Sequence, residues 1–302
     1  KELDNKKQYF EIHQAILDKD THINSSWIGS YNYCEMQSFL NVYIHAYSRI
    51  NVNLLWGNLF HDYLSIIFSN SNLEIIVKQK KILEQNVFSS FKKACYINWA
   101  YFVALKMDLG IVLSEFKNNF LQNEIDFIQS ELEKYSKEYG NYEIICEKMI
   151  YSKYLGIQGR IDRLIQTIPS SQFVIIETKT GTSPSSSQIT AFYQSMAYAT
   201  ILQEYFPSKV DKLLIEYPRL SINERILEYK YDERELLKVL KIRNEIWNIL
   251  LGNQPQVGDL HTCARCSSKE ACNFHKYRLQ MSNPLVKSHK KTGSIHGTFF
   301  YL

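Results

Sequence analysis

Apolar positions recur at threes and fours over residues 8–17, 35–47, 55–68 and a long stretch from 88 to 139. That period predicts helices through most of the chain up to Gly140. The pattern then changes. Short runs at 147–152, 156–167 and 173–180 are rich in Ile, Val, Tyr and Thr and bounded by Gly, Pro and Ser, which predicts strands. Helical spacing returns over 186–205, where serines are available to cap the start. Strands are expected at 212–217 and 226–231, and a last helix at 233–251. The sequence thus reads as one mixed α/β domain spanning 1–302. It has a helical section to residue 140, a strand–strand–helix–strand core over 141–251 and a cysteine-rich tail over 252–302.

Composition narrows this picture only slightly. With 45% hydrophobic and 14% aromatic residues, 302 residues suffice for a substantial core, which excludes general disorder. Lys and Arg number 35 against 31 Asp and Glu, and an excess of +4 neither requires nor excludes a nucleic-acid partner. No stretch approaches the roughly twenty apolar residues of a membrane helix. The first twenty residues carry charge throughout and lack the apolar block of a secretory signal. These features predict an intracellular protein without a membrane partner, in cytoplasm, nucleoid or nucleus. In such a compartment six cysteines point to metal ligands or core packing before disulfides. A chain beginning on Lys rather than Met reads as a domain of something longer.

Candidate chemistry concentrates in two segments. Gly159, Arg160, Ile161 and Asp162 sit in one predicted strand; Glu177, Thr178, Lys179, Thr180 and Gly181 end the next. Alternation puts Glu177 and Lys179 on one face. If the strands pair through the turn containing Pro169, Ser170 and Ser171, Asp162 joins them. Two carboxylates bind a hard divalent cation through oxygen. A lysine beside them orients a water nucleophile or offsets charge building on a phosphate. A surface hairpin with an ordinary ion pair has the same residue types. Against it, Glu177 and Lys179 interrupt the apolar run 173–176, where charge is costly unless paired or metal-bound. Gln194 and Tyr198 lie one turn apart on the following predicted helix and share a face.

The ordered set GxxD, ExKTG and QxxxY resembles the core signature of the RecB-like branch of the PD-(D/E)xK nucleases. The segment from Glu147 to Asp162 is similar to the one leading into the active site of the replication helicase–nuclease that processes Okazaki flaps. Upstream, Gly57 and His61 match the family's GxxxH. The resemblance covers Ser30 to about Tyr277. It implies a restriction-endonuclease-like sheet flanked by helices and a nuclease acting on single-stranded DNA in replication, repair or recombination, most naturally as an exonuclease. By the same carry-over, His61, Asp162, Glu177 and the main-chain carbonyl of Thr178 hold Mg²⁺ or Mn²⁺. Lys179 acts on the water or the scissile phosphate, and Gln194 and Tyr198 position the substrate or brace the site.

Cys263, Cys266 and Cys272 form C-x₂-C-x₅-C, with Cys34 far upstream. Spacing alone leaves two readings open. Four thiolates hold an iron–sulfur cluster, whereas Cys263, Cys266, Cys272 and His275 would make a zinc site. One early and three late cysteines is the arrangement of the family's iron–sulfur members, so the resemblance implies a 4Fe–4S cluster stapling distant segments. Cys95 and Cys146 have no partner pattern and read as packing residues.

If the family fold holds, the helices between His61 and Glu147 arch over the site and make a tunnel for one strand. Lysines 78, 80, 81, 92 and 93 then contact phosphates, and Tyr96, Trp99, Tyr101 and Phe102 stack on bases. A solvated lysine face over a core of aromatics fits the same residues. No Walker A motif occurs, so any helicase motor lies outside these residues or on a partner. Two other settings share the motifs: a non-catalytic iron–sulfur scaffold that binds DNA, and a free-standing CRISPR-adaptation exonuclease.

Overall fold

The computed structural model describes residues 22–42, 50–170, 172–181, 184–206, 210–258, 263, 266, 268 and 272. The expected helix at 8–17, the end of that at 35–47, and His275 lie outside the described residues. The chain divides into two compact units, one of Lys1–Tyr33 and Arg49–Gln254, the other of Cys34–Ser48 and Pro255–Leu302.

The described part of the larger unit starts with β1 (Ile23–Asn24) and α1 (Ser25–Tyr31); α2 (Glu35–Val42) belongs to the smaller one. A helical section follows: α3 (Val52–Phe68), α4 (Leu73–Ile76), α5 (Lys80–Ile97), α6 (Trp99–Leu105), α7 (Leu109–Asn119) and α8 (Leu121–Tyr139). Strands β2 (Tyr142–Ser152), β3 (Ile157–Thr167) and β4 (Phe173–Thr178) precede α9 (Pro184–Tyr205). Then come β5 (Val210–Glu216), β6 (Ile226–Lys230) and α10 (Glu233–Leu250). Most expected boundaries fall within a few residues of these.

Two expectations need correcting. The stretch 88–139 is several helices rather than one. At its first break Asn98 sends its amide to Asp62 (2.5 Å) and to the Ala94 carbonyl (3.0 Å). At the next, Lys106 turns left-handed (φ 53°) and the Asp108 carboxylate caps Ile111 N at 3.0 Å. The second correction concerns β4, which stops at Thr178, so Lys179 and Thr180 lie just past the strand.

A six-stranded mixed sheet forms the centre, in the order β1-β3-β4-β5-β6 with β2 also on β3. β2 runs antiparallel along one edge of β3 from Ile157 to Thr167. The other edge is shared. β1 pairs in parallel with Ile157 and Gln158, and β4 pairs antiparallel with residues from Arg163 to Gln166. The partners part company over 159–162, leaving a fork on that edge of β3. β4 is buried along its whole length between β3 and β5, as its apolar run demands.

The helical section packs a continuous core against one face of the sheet. Trp56, Phe60, Tyr63, Phe91 and Phe116 meet Ile165, Val174, Ile176 and Leu214. Phe91 and Phe116 stack with centroids 3.7 Å apart. Cys95 is fully buried there and Cys146 packs against it, as packing residues should. Ala191 of α9 packs on Ile215 and Tyr217 in a second cluster. α1 crosses α9 closely at Gly29, where a Cβ would lie 2.5 Å from the Thr190 carbonyl.

Beneath the site lies a buried charge network that sequence reading did not foresee. Arg225 holds Glu124 with two bonds (2.5 and 3.0 Å) and Glu216 with two more (2.8 and 2.6 Å). Arg163 also lies against Glu216. The guanidinium of Arg225 stands 3.5 Å over Phe127 and that of Arg163 4.4 Å over Phe68.

In the smaller unit, the Cys34 sulfur accepts from the N–H groups of Gln37 (3.4 Å) and Gly258 (3.3 Å). Met36 N donates to the Gln256 carbonyl at 3.0 Å, and Gln256 N to Glu35 Oε2 at 2.8 Å. Cys34, Cys263 and Cys272 are buried and Cys266 is half-buried. No helix among the described residues is long and apolar enough to cross a membrane.

Candidate active site

The fork in the sheet gathers the chemistry. Asp162 stands on β3 where β1 and β4 separate, and its Oδ2 accepts the Thr178 N–H at 2.7 Å. This bond bridges the gap and ties the carboxylate to the end of β4. One residue earlier Glu177 is buried, and its Oε1 accepts from Lys179 Nζ at 2.6 Å. Lys179 also donates to Gln194 Oε1 (2.9 Å), and its own N–H goes to the Glu216 carbonyl (2.7 Å).

Gln194 and Tyr198 continue the chain of bonds from α9. Gln194 Nε2 donates to the Tyr198 hydroxyl at 2.7 Å, and that hydroxyl donates to the Arg160 carbonyl at 2.8 Å. Arg160 lies in the fork, so Tyr198 satisfies a backbone acceptor that has no strand beside it. The same ring explains Gly159. A Cβ there would come within 2.5 Å of both Tyr198 Cε1 and Ser25 Oγ.

His61 reaches the site from α3. Its Nε2 lies 2.8 Å from Asp162 Oδ1 and its Nδ1 3.2 Å from Glu147 Oε1. Gly57, one turn earlier, would place a Cβ 2.9 Å from Thr180 Oγ1, so a larger residue there would push that hydroxyl aside. Among the described residues, His61, Glu147 and Asp162 offer ligand atoms all within 4.8 Å of one another. Glu147 was the residue sequence reading missed. It opens the segment that resembles the family, but nothing in its neighbours marks it as a ligand. Its backbone has φ 53° inside β2, a left-handed conformation costing an L-residue on the order of 1–2 kcal/mol. The outlier turns its carboxylate toward His61 and, at 2.8 Å, toward Arg160 Nε.

Glu177 stands apart from this triad, with Lys179 on Oε1, while Oε2 is buried without a hydrogen-bond partner among the described residues. An orphaned carboxylate oxygen beside Asp162 is what a site for a hard cation presents before the ion arrives. The residues therefore fit a divalent metal. His61, Asp162, Glu177 and Glu147 all stand as candidate holders; the Thr178 carbonyl, at the strand end, completes the expected set.

Electrostatics agree with that fit. Burial pulls the His61 imidazole down, but its bonds to Asp162 and Glu147, together with their charges, override this and carry its pKa up to about 10. Burial, then the Asp162 charge, pushes Glu177 up to about 7 against the pull of Lys179. Burial works against the Lys179 charge, yet Glu177 and Asp162 raise its pKa, so at neutral pH the ammonium stays charged and donates. Both His61 and Glu177 hold protons more tightly folded than unfolded. Stability from Glu177 is lost as pH climbs from about 4.5 to about 7, and that from His61 from about 6.5 to about 10. A cation displaces both protons, so its stabilisation should grow with pH. Scanning fluorimetry at about pH 6 and about pH 9 should show a lower metal-free Tm at the higher pH and a larger rise on adding Mg²⁺ there. An equal rise at both would show that no cation replaces these protons.

The other expected contacts divide. Lys78, Lys80, Lys81, Lys92 and Lys93 are exposed, and Lys92 Nζ stands 6.0 Å from the Tyr96 ring. Tyr96 and Trp99 are exposed too. Phe102 is buried in the aromatic core, so its ring presents no face for stacking, and Tyr101 is half-buried against that core. Their place on the inner side of α6 is set by its period.

The class this geometry belongs to is the divalent-metal DNA nucleases. The sequence profile of the PD-(D/E)XK nuclease superfamily matches residues 28–273, and the chain belongs to that superfamily. No curated protein matches. A candidate exonuclease from Eubacterium rectale is similar in structure, with 13% identity, a TM-score of 0.48, and 86% of this chain and 89% of that one covered. The crystal structure of SSO0001 matches at 18% identity and a TM-score of 0.26, over 68% of this chain and 98% of that one.

Proposed function

We propose that this chain is a RecB-like nuclease that hydrolyses single-stranded DNA from a free end, with Mg²⁺ or Mn²⁺ in the active site and a 4Fe–4S cluster in the cysteine unit. One observation carries the catalytic half: Glu177, buried, with Lys179 on one oxygen and, among the described residues, no hydrogen-bond partner on the other, beside an Asp162 already fixed by Thr178 N–H. A bound divalent cation there supplies Lewis acidity and an activated water. The chain's own groups do the rest. Lys179 brings a charged donor to the scissile phosphate and is steered by Gln194. Tyr198 and Gln194 hold the Arg160 backbone and the Lys179 ammonium in one hydrogen-bonded line.

The cluster half rests on the smaller unit. The Cys266 thiol is raised by burial and then by the charges of Cys34, Cys272 and Cys263, so the four sulfurs are neighbours. A cluster on these sulfurs would tie the segment after Cys34 to that after Pro255. Single-stranded DNA with a free end is the substrate, and the exposed Tyr96 and Trp99 are available to its bases. Replication, repair or recombination, with a helicase domain or subunit alongside, is the setting proposed.

Oxygen-free protein incubated with 5′- and 3′-labelled single-stranded DNA and Mn²⁺ tests both halves. Metal-dependent cleavage, lost in Glu177→Ala, is the expected result. A brown, folded protein that binds DNA and never cuts it would sink the enzyme reading and make this a scaffold.

A further inference from the structure

The β2–β3 hairpin extends beyond the fork, and its two faces differ. Ile150, Ser152, Ile157 and Ile161 are buried on one. On the other, alternation places Met149 and Tyr151 opposite Arg160 and Gln158, paired across the strands as Met149↔Arg160 and Tyr151↔Gln158. Met149 and Tyr151 are each 60% exposed, as is the Arg160 side chain. The Tyr151 ring meets that of His22 edge to face with centroids 5.9 Å apart, yet Tyr151 and Met149 stay largely in solvent beside a guanidinium, more than packing asks of them.

This face starts at the active centre. Arg160 Nε is 2.8 Å from Glu147 Oε2, and Glu147 belongs to the group with His61 and Asp162. The Arg160 backbone is fixed by the Tyr198 hydroxyl at 2.8 Å, and the Tyr151 carbonyl accepts from Tyr205 Oη at 2.9 Å, so the ribbon is braced from α9 at two points. Charge agrees. From Lys148 to Arg160 the hairpin carries no carboxylate; Arg160 is the cation of this face, Lys153 stands in the turn beside it, and Lys148 alternates to the other face. Cations with interleaved rings on a rigid ribbon suit a polyanion whose bases are unpaired.

We infer that the outward face of the β2–β3 hairpin is the track along which the single strand approaches the catalytic carboxylates. Arg160 holds the phosphate next to the scissile one, and Tyr151, with Met149 beside it, takes a base. Arg160 and Tyr151 are positioning residues. The inference rests on the single-stranded DNA reading above and adds where the strand lies.

The test is fluorescence anisotropy of a labelled oligothymidylate of about 16 nucleotides, with Ca²⁺ replacing Mg²⁺, across a salt series. Cleavage by the wild type with Mn²⁺ is followed in parallel. Tyr151→Ala should raise Kd about tenfold, on the scale of one lost base stack, with Tyr151→Phe binding as the wild type does. Arg160→Ala should lower the salt slope by about one, and Arg160→Lys should restore it. In cleavage the losses should fall on KM more than kcat. Because these side chains stand largely in solvent, melting curves should match the wild type. A wild type that binds but never cuts, with both variants weakened, keeps the track and removes the nuclease reading. A wild type that cuts, with both variants binding normally, overturns the track and leaves the nuclease. Neither binding nor cutting overturns both.

Discussion

Lys179→Ala should lower cleavage of single-stranded DNA about a hundred- to a thousandfold, the range for removing one donor aimed at developing charge. Its ammonium is held 2.6 Å from Glu177 and 2.9 Å from Gln194, with its pKa raised, so it is charged before any substrate arrives. The loss should fall on kcat, while the Tm rise produced by Mn²⁺ persists, because Lys179 donates and holds no cation. Single-turnover rates and melting curves on the same preparation separate these. A variant that cuts at close to the wild-type rate would remove Lys179 from the chemistry. One that no longer responds to Mn²⁺ would recast it as a brace for Glu177.

The second large effect lies under the sheet. Glu216→Ala strips one carboxylate from between two buried guanidiniums. Breaking a buried pair from one side costs roughly 3–5 kcal/mol, because the remaining charge has nowhere to go. Arg225 would keep Glu124, but Arg163, beside Phe68, would face Arg225 across an empty space. Burial and the neighbouring Arg225 already lower the Arg163 pKa. A fall in Tm of about 10 °C is expected, at the 2–4 °C per kcal/mol typical of domains somewhat smaller than this one. A fall below about 2 °C would show that water or rearrangement relieves the charge. Because the Glu216 carbonyl also takes the Lys179 N–H at 2.7 Å, slower cleavage should accompany the instability.

The sequence made the sheet legible because its strands are short, apolar and bounded by turn formers. The runs expected at 156–167 and 173–180 differ from β3 and β4 by a residue or two. Glu177 and Lys179 could be singled out because their charges interrupt an apolar run, and Asp162, Gln194 and Tyr198 because they fall in the ordered motif that resembles the family. The breaks among α5, α6, α7 and α8 were hidden, since helices that share one core keep the same apolar spacing across a bend. Asn98 and Lys106 mark those breaks without a proline, and only the Asp108 cap leaves a recognisable sign. Glu147 escaped notice because its role depends on a backbone twist that residue type does not reveal. Nothing in the sequence marks Arg163, Arg225, Glu124 and Glu216 as buried, since such residue types usually sit at the surface.

The aromatic core shared by α3, α5 and α7 has an evolutionary corollary. Its rings point inward and interlock, with Phe91 on Phe116 at the centre. Residues on the outer sides of the helical section, among them Ile75, Ile97, Val103 and Ile111, are exposed and contribute little to that packing. Mutation can therefore rewrite the outside of the helical section while the carboxylate centre keeps its scaffold. Lineages descended from such a domain can exchange partners at the helices without rebuilding the chemistry at the fork.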